Sequence, residues 1–136
     1  MPPDYLDDAE LADGAVLWHS INPRHIKDDE LNVSSTSYST DGLSVYVIDE
    51  TTAAALAAKF PGWPFQWFTA GVARAVGCIV CKEPDDDGDT SHRAVRRASD
   101  PPAQLRGEAK RIRNAAKWIH HDDVPEPQPP SPLTPE

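Results

Sequence analysis

Towards the carboxyl end, Leu105, Ala109, Ile112, Ala116 and Ile119 recur at steps of four, three, four and three, the spacing that lines one helical face. An amphipathic helix has to bury that face, so the chain must supply a second layer for it to pack on. The spacing predicts a long helix over 103–120, with Pro101 and Pro102 marking its start. Arg106, Lys110, Arg113 and Lys117 repeat the same steps one residue later. A basic stripe would therefore run beside the apolar one, about 100° around the axis.

The second layer reads as β-structure. Residues 15–21 are rich in β-branched and aromatic side chains and end at Asn22-Pro23, where a ladder loses its donor. Residues 43–48 alternate at period two, with Leu43, Val45 and Val47 on one face and Ser44, Tyr46 and Ile48 on the other. Thr51 or Thr52 caps a short alanine-rich helix over 53–60, which Pro61-Gly62 closes. A third strand is expected within 63–68, a short helix over 70–76 stopped by Gly77, and a fourth strand over 78–81. The acidic turn 83–89 then leads to a hairpin partner over 92–97. The 34–40 run of serine and threonine reads as loop or edge strand. The expected fold class is α+β, a small mostly antiparallel sheet of four or five strands with the long C-terminal helix packed on one face. The expected organisation is an irregular acidic lead-in over 1–14, a single domain over 15–121, and a disordered tail over 122–136. That tail has six prolines in fifteen residues, too few apolar groups to offset the entropy of ordering.

The chain has 136 residues and a formal net charge of -9, unevenly distributed. Residues 1–50 carry eleven acids and two bases, whereas 91–120 carry two acids and eight bases. An acidic chain repels phosphate at long range, which counts against general affinity for nucleic acid or anionic membrane. The basic segment is expected either to fold back on the acidic first third or to meet a negative partner. No stretch has the roughly 18 consecutive apolar residues that a membrane helix needs, and the N-terminus is acidic where a secretory signal would be basic. The expected compartment is the cytoplasm.

The candidate chemistry is sparse. Cys78-x-x-Cys81 has zinc-like spacing, but in a strand two side chains three apart point to opposite faces, and no second ligand pair follows at a usable interval. Both read as buried structural thiols. Glu83, Asp85, Asp87 and Gly88 imitate the first half of a calcium loop, yet the position for its closing bidentate glutamate is Ala94. No metal is therefore expected. Imidazole titrates near neutral pH, which makes His19 and His92 acid–base candidates beside Glu83.

Leu17-Trp18, Ser34-Ser35, Leu43-Ser44-Val45, Phe60-Pro61-Gly62, Ala73-Arg74 with Gly77, Pro84 before His92, and Trp118-Ile119-His120 follow in an order that resembles a family of small bacterial proteins. That resemblance implies a single compact domain and brings no particular activity. A second resemblance is to the ADP-ribosyltransferases, whose small split sheet binds NAD through an arginine or histidine of an early strand, a Ser-Thr-Ser strand and a later catalytic glutamate. It implies His19 in the first place, Ser35, Thr36 and Ser37 in the second, and Glu83 in the third. There a carboxylate would stabilise the cationic transition state as nicotinamide leaves. The family's paired Glu/Gln-x-Glu is here Cys81-Lys82-Glu83.

Three functional readings follow. The first is an accessory protein acting through a protein partner, with Arg106, Lys110, Arg113 and Lys117 as contact residues and no cofactor. The second is an NAD-binding enzyme using His19, Ser35, Thr36, Ser37 and Glu83, with His92 a separate acid–base candidate. The third is a nucleic-acid-binding module using the basic helix face.

Overall fold

The computed structural model describes residues 5–27, 32–34, 37–99 and 103–119. Eight strands and three helices follow one another in the order β1 (Val16–Ser20), β2 (Ile26–Lys27), β3 (Asn32–Val33), β4 (Leu43–Val47), α1 (Ala53–Lys59), β5 (Phe65–Thr69), α2 (Ala70–Ala75), β6 (Cys78–Lys82), β7 (His92–Arg97), α3 (Gly107–Ala115) and β8 (Lys117–Trp118). Six of the strands form one antiparallel sheet in the order β6-β7-β4-β1-β5-β8, and β2 and β3 pair as a separate ribbon. The α+β class therefore holds, but the sheet has six strands rather than four or five.

Strand parity sorts the side chains into two cores. Leu17, Leu43, Val45, Val47, Phe68, Val80 and Val95 face one side, where Ala70 and Ala73 of α2 and Ala109 and Ile112 of α3 cover them. Trp18, Tyr46 and Phe65 face the other, under Leu56 of α1. Thr52 caps α1 by accepting from the Ala55 N–H at 3.0 Å, and Thr69 caps α2 through the Val72 N–H at 3.3 Å. Gly62 and Gly77 end these helices at φ of 78° and 93°, values that side-chain-bearing residues rarely adopt. The lead-in packs on the domain: Leu11 is buried in the first core, and Arg74 donates to the carbonyls of Asp8 and Leu11 and pairs with Asp7 and Asp13.

The C-terminal helix departs most from expectation, having nine residues, Gly107–Ala115, instead of a long rod over 103–120. Before it, the Leu105 N–H is spent on the Thr40 carbonyl at 2.9 Å. After it, Ala116 turns extended, and Lys117 and Trp118 pair with Trp67 and Gln66 along the free edge of β5. Two aromatic or β-branched residues in succession suit that edge, and closing its unpaired amides outweighs one more helical turn. The apolar spacing is thus divided. Leu105, Ala109 and Ile112 are fully buried and contribute about 1.5–3 kcal/mol for each large side chain, while Ile119 crosses to the second core. No helix among the described residues is long and apolar enough to cross a membrane.

Candidate functional site

The β1–β4 ladder pairs Leu17 with Val47 and Trp18 with Tyr46, then stops. Continued by two residues it would set Ser20 opposite Ser44, but β1 instead follows β5 to the Ser20–Phe65 pair. The sheet therefore parts between its two central strands. A carbonyl at such a parting needs a donor, and the Ser44 carbonyl receives one from His19 Nδ1 at 2.9 Å. A carbonyl only accepts, so Nδ1 carries the proton; Nε2 lies 3.1 Å from the Ser37 carbonyl and 3.2 Å from the Ser37 hydroxyl, and in that neutral tautomer it accepts from the hydroxyl. Tyr38 packs on the imidazole at 4.7 Å between centroids and donates to Gln66 Oε1 at 2.5 Å.

The parting opens into a cleft of about 780 Å³. His19 and Ser37 approach it from the α2/α3 side of the sheet, and Tyr46 and His92 from the α1 side. One wall is Phe60 and Trp63; the other is the acidic turn with Asp85, Asp86 and Asp87, and Asp41 stands at the rim. Lys59 spans the walls, with Nζ 2.6 Å from Asp85, 3.1 Å from Asp89 and 3.6 Å from Asp87, and 5.1 Å from the centre of the Tyr46 ring.

His92 is oriented from behind. Its Nδ1 lies 2.5 Å from the Glu83 carbonyl, so Nδ1 again holds the proton. Tyr46 meets the ring edge-on at 5.2 Å. The neutral ring then has its lone pair on Nε2, an atom with no partner among the described residues. His25 Nδ1 is the one buried side-chain polar atom among the described residues without a hydrogen bond. It belongs to a residue of the same cleft, where a ligand amide or hydroxyl would satisfy it.

Charge in the cleft is tilted negative, with four carboxylates against one ammonium. Burial alone would push Asp85 up, but the Lys59 ammonium, the Asp89 N–H and the Tyr46 hydroxyl together hold it far below the usual carboxylate range. Burial and the bond to Asp85 push Tyr46 well above its ordinary value, so it is no acid near neutral pH. Burial lowers His19 despite the opposing pull of the Ser44 and Ser37 carbonyls, and His25 lowers it further.

Those shifts set the acid response. The unfolded chain protonates His19 near 6.5 while the folded ring resists, so stability is complete above that pH and declines as pH falls below it. Glu108, held down to about 2 by Arg97 against an ordinary 4.5, contributes stability that is full above 4.5 and lost as pH falls towards 2. Urea unfolding between pH 3 and pH 8 is expected to show both limbs, and His19→Gln to abolish the upper one. An unchanged upper limb in that variant would contradict the assignment.

The remaining candidates lie elsewhere. The Glu83 carboxylate is clamped by Arg96, Nε to Oε2 at 2.8 Å and Nη2 to Oε1 at 3.0 Å, and lines a smaller hollow with Tyr5 and Asp8; only its carbonyl serves the cleft. Ser35, Thr36 and the tail lie outside the described residues. Arg106 and Lys110 are exposed at the start of α3 and within it, and Arg113 is half-buried against Asn114. Lys117 is no longer on the helix: in β8 it pairs with Trp67 and lies 5.6 Å from that ring centre, on the α1 side of the sheet. The four cations therefore do not share a face. Burial pushes the Cys78 thiol up to about 12 and the Cys81 thiol up to about 11, leaving both unreactive. Sequence reasoning weighed Asp85 only as part of an incomplete calcium loop and missed Tyr46, Lys59 and the Phe60–Trp63 wall, the last signalled only by the aromatic density of 60–68.

Comparison with protein-family models, with curated proteins and with solved structures finds no match.

Proposed function

We propose that the cleft takes the nicotinamide end of NAD and that the chain transfers ADP-ribose, with water as the minimal acceptor. What carries this reading is the parting of the sheet at His19, with Ser37 hydrogen-bonded to that ring and His92 opening on the same cleft. The chemistry fits the lining. Cleavage develops positive charge on the ribose, and a negative wall favours such a transition state over the ground state. The aromatic wall suits a planar ring, and the unsatisfied His25 Nδ1 suits a carboxamide. The same carboxylates repel the diphosphate, so weak binding is part of the proposal.

Calorimetric titration with NAD, paired with a nicotinamide-release assay, tests it. Binding in the 0.1–1 mM range is expected, roughly 4–5.5 kcal/mol, with measurable release. His19→Ala, which leaves the Ser44 carbonyl without its donor, is expected to weaken binding by about tenfold, roughly the loss of one buried hydrogen bond. A flat titration and no release up to several millimolar NAD would end the reading.

The reading as an accessory protein is second. It is favoured by the exposed Arg106, Lys110 and Arg111, which have no carboxylate partner among the described residues, and it loses ground because Lys117 leaves their face. Nucleic-acid binding would draw on the same three cations and is weaker for the same reason.

A further inference from the structure

We infer that His92, a histidine where ADP-ribosyl transfer ordinarily uses a glutamate, accepts the hydrogen bond of a ribose hydroxyl, while the acidic turn supplies the negative field separately. The inference rests on the NAD reading above. Asp85 accepts from the Asp87 and Asp89 N–H groups through Oδ1, and from Tyr46 and Lys59 through Oδ2. Glu83 is taken by Arg96, and Asp86 and Asp87 are exposed at the rim, Asp87 at 3.6 Å from the Lys59 ammonium.

His92 is buried, its Nδ1–H is committed to the Glu83 carbonyl, and Tyr46 fixes the plane of the ring. Its Nε2 lone pair thus has a set direction and no partner among the described residues. A carbonyl that accepts from one ring nitrogen fixes the tautomer and makes the opposite nitrogen the better acceptor.

The step balances with water as acceptor. The bond between the ribose C1′ and the pyridinium nitrogen breaks, its electron pair leaves on nicotinamide, and the positive charge passes to the ribose. Water oxygen bonds to C1′, and its surplus proton is released to solvent. A neutral imidazole that accepts from the 2′-hydroxyl raises electron density beside C1′ but adds no net charge. The exposed Asp86 and Asp87 provide that charge, and they do so at the expense of diphosphate affinity.

Two roles in separate residues predict separate kinetic signatures. His92→Ala is expected to lower kcat for nicotinamide release by about 100-fold, the order seen on loss of one preorganised hydrogen bond to a transition state, with NAD affinity within about threefold of the parent. His92→Gln, whose amide oxygen also accepts, should recover most of the rate, and His92→Glu, which joins acceptor and charge, should exceed the parent. Asp86→Asn with Asp87→Asn is expected to lower kcat and KM together. Thermal melting of each variant checks folding, and the His92→Gln and double Asn variants decide if His92→Ala does not fold. A parent that binds no NAD removes the NAD reading itself. A parent that binds and turns over, with His92→Ala equally active or the Asn pair leaving kcat unchanged, overturns this inference alone.

Discussion

Replacing Arg93 with methionine is expected to lower the unfolding free energy by about 3 kcal/mol or more, the low end of the range for breaking a buried ion pair from one side. Its guanidinium is 2% exposed and makes bonds that no other side chain can reproduce together. Nη2 donates to both oxygens of Glu50 at 3.0 and 2.9 Å, Nε to Asp8 at 3.2 Å, and Nη1 to the carbonyls of Thr90 and His92 at 2.8 and 3.2 Å. Without it two carbonyls lose their donor, and Asp8, largely buried, loses its counter-charge. The effect is kept from the top of the range because Glu50 is 41% exposed and can return to water. Lysine is expected to recover little, since one ammonium cannot span a carboxylate fork and two carbonyls. Urea titration measures this as a lower midpoint at constant slope. A loss under about 1 kcal/mol would mean that the lead-in and the turn after β4 are held by other contacts.

Lys59→Met is expected to have the second largest effect, and to act on the cleft as well as on stability. One ammonium serves three carboxylates and covers the Tyr46 ring. Its removal leaves Asp85, whose side chain is 13% exposed, beside two like charges with no cation. A loss of about 2–3 kcal/mol at pH 7 follows, since an unpaired buried charge costs that order. Part of it should return on acidification to pH 4, because Asp85 in the variant no longer has the ammonium that held its carboxyl down. A variant as stable as the parent, or one whose deficit does not change with pH, would show that Lys59 does not organise the turn.

Local pattern made much of this fold readable. The alternation over 43–48 marks β4, the threonine caps and the glycines after α1 and α2 mark both short helices, and Asn22-Pro23 closes β1. What the pattern missed depends on distant pairing. Ala116 and Ile119 keep helical spacing, yet spacing cannot reveal that β5 has an open edge waiting for Lys117 and Trp118. The parting at His19 is equally hidden, because it depends on where one ladder stops rather than on any residue in it. His19, Ser37 and His92 were recognisable as candidates by residue type; that they open on one cleft from opposite faces of the sheet was not. Arg93 lies in a segment whose three arginines suggest a solvated strand. Only the surplus of acids in the first third hinted that an internal partner existed.

Everything proposed for function rests on the cleft at the parted sheet being where a ligand binds. Amide chemical-shift mapping of the ¹⁵N-labelled protein during NAD titration tests that directly. Saturable shifts are expected at 19–22, 37–46 and 85–92, with α3 silent. Shifts confined to 106–117, or none at several millimolar NAD, would contradict it.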